Sequence, residues 1–466
     1  MKKLVLAGFG AVSLFMASCK DDDGTVVTPT GTNQVEISGD IAVDRTFDAD
    51  SVYVLKGFVY VTDAATLTIE PGTIIKGDKA TKGTLIITRG AKIDAEGTAS
   101  KPIIFTSLQD AGARDEGDWG GVIILGKAPI NPSGGEAKIE GGLTATDASN
   151  ESKYIYYGGT DASDNSGILK YVRIEFAGIA FSADNEINGL TMGGVGNGTT
   201  ISYVEAYRSG DDAFEWFGGT VNCDHLIAAY TWDDDFDTDF GFSGNVQFGV
   251  ALRVKTIADQ SSSNGFESDN DANGSTNTPQ TAAVFSNMSI VGPGQGATGA
   301  ATGASALYAN GAQIRRNSTQ SIHNSIIIGW PVGLYIDDTK GTATSDNITA
   351  GTLQFANNIL AGNTVQLKAS SSTFDIATWV SGSNNQLLDS VQAVGLADPY
   401  KFSTTISSTQ AGTPSFLLAS GSPALTGASF TGLPSFFTAV SYIGAFDGSN
   451  DWTAGWATWD AENTEY

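Results

Sequence analysis

Residues Tyr203 to Phe240, YVEAYRSGDDAFEWFGGTVNCDHLIAAYTWDDDFDTDF, contain one unit twice. Tyr203-Val204-Glu205-Ala206-Tyr207 returns as Leu226-Ile227-Ala228-Ala229-Tyr230, and Asp212-Ala213-Phe214-Glu215 returns as Asp234-Asp235-Phe236-Asp237. Two short β-rich runs in a unit of roughly 22 residues describe one turn of a solenoid. The register extends backwards to Asn188-Gly189-Leu190-Thr191. Forwards it reaches Asn264-Gly265-Phe266-Glu267, Ser305-Ala306-Leu307-Tyr308 and Val332-Gly333-Leu334-Tyr335. Strand alternation turns the third residue of each set inward and the fourth outward. Stacking then predicts an exposed column of Thr191, Glu215, Asp237, Glu267, Tyr308 and Tyr335. Adjacent strands lie roughly 4.8 Å apart, so its carboxylates oppose one another unless a cation, a shared proton or splayed side chains intervene.

The composition suits such a coil. Gly accounts for 57 of 466 residues, above the usual fraction of roughly 7%, and helical patterning is scarce. With 25 Lys+Arg against 51 Asp+Glu, a net charge of −26, the chain is a poor partner for nucleic acid or anionic membrane surfaces. It is compatible with cation binding. Of the two cysteines, Cys19 closes an N-terminal leader and Cys223 is left without a partner, so no disulfide framework or zinc cluster is expected. Alternation puts Cys223 and His225 on one face of a buried strand, where Cys223 reads as a small core residue and both His225 and His323 read as structural.

Taken from its start, the chain begins with a basic Met1-Lys2-Lys3, an apolar Leu4 to Met16, and Ala17-Ser18-Cys19, the pattern of a secretory signal over 1–18. Residues 19–34, opening on Lys20-Asp21-Asp22-Asp23 and rich in Thr, read as a flexible tether. From Val35 short β-rich runs follow, including Val52-Tyr53-Val54-Leu55, Leu67-Thr68-Ile69 and Pro102-Ile103-Ile104-Phe105, broken by Gly, Asp and Lys turns. Residues 127–165 are irregular and polar and read as a long excursion from the coil. Asn287, Asn324 and Asn357 each open an aliphatic run closed by Gly, which predicts a stacked amide ladder. Periodicity fades after Asn363. The coil is assigned to 35–430 and a C-terminal Trp-rich cap to 431–466, in which Trp452, Trp456 and Trp459 share one side of a short helix and cover the last rung.

Phe15-Met16-Ala17-Ser18-Cys19 resembles a bacterial lipobox, with Cys19 the lipidated residue, and Lys20 to Asp23 resembles the acidic export signal of Bacteroidetes-type lipoproteins. Leu67 to Thr73, Asp118-Trp119-Gly120-Gly121, Asp211 to Gly219, Asp233 to Gly241 and Asp451 to Trp456 together resemble a Bacteroidetes-type family of surface lipoproteins. That resemblance implies an all-β, right-handed parallel β-helix of the pectin-lyase-like kind with no agreed activity. It also implies a location on the outer membrane, lipid-anchored and facing the cell exterior.

Three functions compete, because a β-helix alone supports many. In the first, the acidic face binds polysaccharide or a divalent cation, with Ca2+ the expected ion and Asp212, Glu215, Asp234, Asp237, Glu267 and Asp269 its oxygen ligands. Trp216, Trp232, Tyr308 and Tyr335 would then supply stacking surfaces. Polysaccharide or surface glycan-uptake components are the expected partners, and nucleic acid is not. In the second, the protein is a polysaccharide lyase or glycoside hydrolase. Arg208 would be the lyase base, with Arg173 and Arg253 weaker candidates, and Glu215 with Asp237 would be the hydrolase pair. In the third, the column is a solvated face on a spacer or adhesin. Binding is preferred to catalysis because the stretch is acidic with few cations.

Overall fold

A computed structural model describes residues 33–181, 186–294, 303–402, 406 and 412–466. Cys19, the leader and most of the tether lie outside the described residues. The rest is a right-handed parallel β-helix, whose strands join into one sheet of 26 that winds around three faces.

One face carries the acidic column. Its successive strands include Thr84–Ile87, Gly121–Leu125, Leu190–Gly193, Phe214–Phe217, Phe236–Asp239, Phe266–Ser268, Asn310–Arg315, Val332–Asp337 and Val365–Ala369, each parallel to the next. The other two faces share long strands, Gly167–Glu175, Thr200–Tyr207, Asn222–Ala229, Asn245–Leu252 and Val284–Val291, which bend in the middle. A single left-handed residue makes each bend: Tyr171, Tyr203, His225, Phe248 and Asn287, with φ from 50° to 60°. That conformation is costly for residues with a bulky Cβ substituent. Ring stacking down the corner offsets it, with centroids 4.5 Å apart for Tyr171 and Tyr203 and 4.1 Å for Tyr203 and His225. The expectation that Cys223 and His225 share a face therefore fails. Cys223 points into the core, as expected, while the bend swings His225 out to the corner, where its Nδ1 lies 2.6 Å from Asp224 Oδ1.

Inside the coil, Phe214, Phe236 and Phe266 stack as the repeat predicts, with centroids 5.7 and 5.6 Å apart and all three fully buried. The alternation that turns Glu215 outward turns Trp216 inward, onto Phe214 and Phe242. Trp216 is thus a core residue and offers no stacking surface to a ligand.

The excursion over 127–165 is ordered. Ala137–Lys138 pairs antiparallel with Tyr156–Tyr157, and Ile130, Ile139, Tyr154, Ile155 and Tyr157 cover the outward side chains of Tyr60, Ile86, Ile123 and Leu125. It forms a wall over the first half of the acidic face.

Two expectations about the later chain need correction. Asn287, Asn324 and Asn357 do occupy one corner, with φ of 56°, 52° and 59°. The first two amides, however, donate to the C-terminal segment, Asn287 to Tyr442 and Gly444 carbonyls and Asn324 to Ser429, so they do not form a self-contained ladder. The Trp-rich segment forms turns, not a helix, and lies along the flank of the coil. Trp456 meets Tyr171 and Tyr203 edge-on, and Trp452 meets His225. The last rung is covered instead by Ile376–Ser381, with Val380 buried and Trp379 against Phe355 and Phe374.

Candidate functional site

The acidic face is built by the chain entering each strand. Asp212 N–H donates to Asn188 Oδ1 (3.3 Å), Asp234 N–H to Asp212 Oδ1 (2.8 Å), Asn264 N–H to Asp234 Oδ1, and Asn310 N–H to Asn264 Oδ1 (3.1 Å). These side chains form a ladder that holds the rungs in step. Asp212 and Asp234 each spend one carboxylate oxygen on it.

Three positions on, register brings Thr191, Glu215, Asp237 and Glu267 side by side. The next member is Gln313, followed by Tyr335 and Lys368. Tyr308 is therefore not in the column. The repeat resumes at Asn310-Gly311-Ala312-Gln313, so the column position falls to Gln313 beyond Tyr308, and Tyr308 is buried with its hydroxyl donating to the Val254 and Ile257 carbonyls. Tyr335 is in the column, but Lys368 Nζ lies 3.9 Å above its ring. Trp232 donates its indole N–H to Asp259 (2.8 Å) and packs against the aromatic flank.

The column is less exposed than alternation alone predicts. Glu215 is 7% exposed, and Asp237 and Glu267 are half-buried. Asp212, Glu215 and Asp237 bring carboxylate oxygens within 4.8 Å of one another. So do Asp234, Asp237 and Glu267, and a third group joins Asp211, Asp212 and Asp233. Asp237 belongs to two of these groups, and its Oδ1 is buried without a hydrogen-bond partner. Burial first, and repulsion among the carboxylates second, pushes Asp212, Glu215, Asp234 and Asp237 well above the ordinary carboxylate range. Glu267 rises to about 7, burial outweighing the Arg315 guanidinium beside it. Such a set must hold protons or take up a cation.

Asp269 differs from the others. It accepts from Arg315 Nε (2.8 Å) and from Arg316 Nη1 (2.5 Å), so two guanidinium groups already satisfy it.

Arg208 is not a free base. It pairs with Asp115 (2.7 Å), Glu116 and Glu462 (2.8 Å), and those carboxylates hold it protonated. Arg173 is bound to Glu175 (3.1 Å) and Tyr466. Arg253 is fully buried with Asp235 (3.0 Å).

Several residues at the site were not singled out from the sequence. Glu140 reaches Glu215 from the excursion wall, a contact that no local motif signals. Asp239, two residues after Asp237, shares its outward parity and could have been found that way. Arg315 and Arg316 follow the rung that the misplaced register had hidden.

The three-faced parallel coil, with its walled acidic cleft on one face, is a β-helix of the pectate-lyase-like kind. The chain belongs to the pectate-lyase-like β-helix domain family, whose model matches residues 39–398. No curated protein sequence matches it. Among solved structures it is similar to pectate lyase Pel9A, at 12% identity over 90% of this chain and 97% of that one, with a TM-score of 0.38. It is also similar to the A-module of Azotobacter vinelandii mannuronan C-5 epimerase AlgE4, at 10% identity over 77% and 87%, TM-score 0.27. A third is the Dettilon tailspike protein, at 12% identity over 70% and 62%, TM-score 0.24.

Proposed function

We propose that this protein is an outer-surface lipoprotein whose acidic cleft holds a divalent cation and whose same face binds polysaccharide, working beside glycan-uptake components. An all-oxygen donor set of carboxylates suits a hard ion, and Ca2+ tolerates the irregular geometry that three successive rungs provide. The observation that carries the reading is Asp237. It sits in two carboxylate groups at once, and its Oδ1 is buried with no donor to satisfy it. A cation there would satisfy that oxygen and relieve the repulsion along the column.

The test is calcium titration calorimetry together with melting temperature in calcium and in chelator. Ca2+ at 100 times its dissociation constant should add about 2.7 kcal/mol of stability. The Glu215→Gln/Asp237→Asn variant should lose both the heat and the shift, and relief of repulsion should raise its melting temperature in chelator. A wild type with neither response would leave the column as a solvated face on a spacer or adhesin.

One observation favours a hydrolase as the second reading, the short distance between the Glu215 and Asp237 carboxylates. Retaining glycosidases hold theirs roughly 5–5.5 Å apart across the scissile bond. Here both stand on one wall, in adjacent strands, which fits shared ligation of an ion better than attack from opposite sides. Release of reducing ends from a polysaccharide, lost in Glu215→Gln, would favour the hydrolase.

A further inference from the structure

We propose that a cavity further along the same face is a site for an oxyanion, the carboxylate or sulfate ester of an acidic polymer lying along the coil. The cavity, about 210 Å3, is lined by Arg315, Arg316, Asp337, Thr339 and Lys340. At about 30 Å3 per water molecule, it has room for such a group and several waters. Its floor is continuous with the column: Arg315 closes the Asn310–Arg315 strand and pairs in register with Asp337 on the next. It thus lies one to two rungs beyond Glu267, roughly 5–10 Å along the coil.

Three cations meet there in a chain of net charge −26. The two guanidinium groups are fixed from behind, Arg315 by Glu267 and Asp269 and Arg316 by Asp269. That removes much of the ordering cost an anion would otherwise meet. Each guanidinium carries five N–H donors, and among the described residues Arg316 donates from Nη1 to Asp269 alone, leaving its other edge available. Lys340 makes no ion pair among the described residues. Asp337, the one carboxylate in the lining, is already engaged. Its Oδ1 accepts from Thr339 N–H (2.9 Å) and its Oδ2 from Gln313 Nε2 (3.3 Å). A planar or tetrahedral oxyanion held between Arg316 and Lys340 would receive charge-assisted hydrogen bonds from both.

The polymer is taken from the polysaccharide reading above, whereas the anion pocket stands without the cation. The experiment is therefore run in chelator. Wild type and Arg316→Gln/Lys340→Gln are titrated with sodium sulfate or sodium acetate against sodium chloride of equal ionic strength, and melting temperature and backbone amide shifts are followed. Sulfate, acetate or both should bind wild type beyond chloride, the better anion indicating a sulfate ester or a carboxylate. The double variant, checked for an unchanged urea midpoint, should bind that anion at least about tenfold more weakly. If it is less stable, Lys340→Gln alone should show a smaller loss in the same direction. Equal binding by wild type and variant, or no response beyond chloride, would overturn the proposal. An anion response that persists in chelator while calcium has no effect would retain this site and remove the cation reading.

Discussion

Replacing Phe236 with alanine tests the coil most directly. The ring is fully buried. It lies 5.7 Å from Phe214 at 7° between planes, 5.6 Å from Phe266, and 6.2 Å from Phe285. Truncating a buried phenylalanine costs about 3–5 kcal/mol, the spread reflecting how far the surroundings collapse. Collapse is restricted here. The rungs above and below are tied by the strand ladders at Phe214 and Phe266, and Gly249 leaves only a hydrogen facing the ring. Its aromatic pairs with Phe214, Phe266 and Phe285, worth about 0.5–1.5 kcal/mol each, are lost as well. The cost should fall in the upper half of that range, about 4–5 kcal/mol. Equilibrium urea unfolding by far-ultraviolet circular dichroism measures it, with Phe236→Leu as a milder control. An unchanged slope would show that wild type and variant expose the same surface. A loss below about 1.5 kcal/mol would mean the ring is not clamped between rungs, and the stacked-core account would fail.

Three further outcomes are expected. Raised carboxylates bind protons more tightly in the folded protein than in the unfolded chain. Glu267 and Asp235 rise to about 7 and Glu205 to about 8, so the stability they contribute is complete below about pH 4 and is lost as pH rises through about 7–8. Melting temperature in chelator should accordingly be higher at pH 5 than at pH 8, and a rise over that interval would contradict the burial assigned to them. Arg253→Met leaves Asp235 buried without its partner and should cost about 3–5 kcal/mol, with Arg253→Met/Asp235→Leu recovering part of it; equal urea midpoints for the single variant and wild type would refute the pairing. If Cys19 carries the proposed lipid anchor, Cys19→Ala should move the protein from the membrane to the soluble fraction, and retention of the variant in the membrane would refute that anchor.

Much of the coil was legible because its rule is local. An acidic or amide residue, one position, then an apolar residue and an outward side chain recurs through Asp212, Asp234 and Asn264, and that cadence alone gave the Phe214, Phe236 and Phe266 stack and the Glu215, Asp237 and Glu267 column. It misled where the repeat slipped. Leu307-Tyr308 imitates Leu334-Tyr335, but Asn310 carries the ladder, so Gln313 holds the place assigned to Tyr308. Alternation also could not show what covers an outward face. Glu140 and Tyr157 come from an excursion with no periodicity, and their packing converts an open column into a cleft. The bends at Tyr203 and His225 were invisible for a related reason: one left-handed residue inside an apolar run changes the face without interrupting the run.

The C-terminal segment alters how this solenoid should come apart. A bare coil can fray rung by rung from either end, because each turn touches only its neighbours. Here Thr438 accepts and donates with Gln247, Ser429 with Asn324, and Glu462 binds Arg208, while Arg114 holds the Ala461 and Thr464 carbonyls at 2.9 and 2.7 Å. One strip of chain thus acts as a batten nailed across turns that are far apart in sequence. A force applied at the C-terminal end would first have to peel that batten sideways, contact by contact, before any strand ladder felt the load.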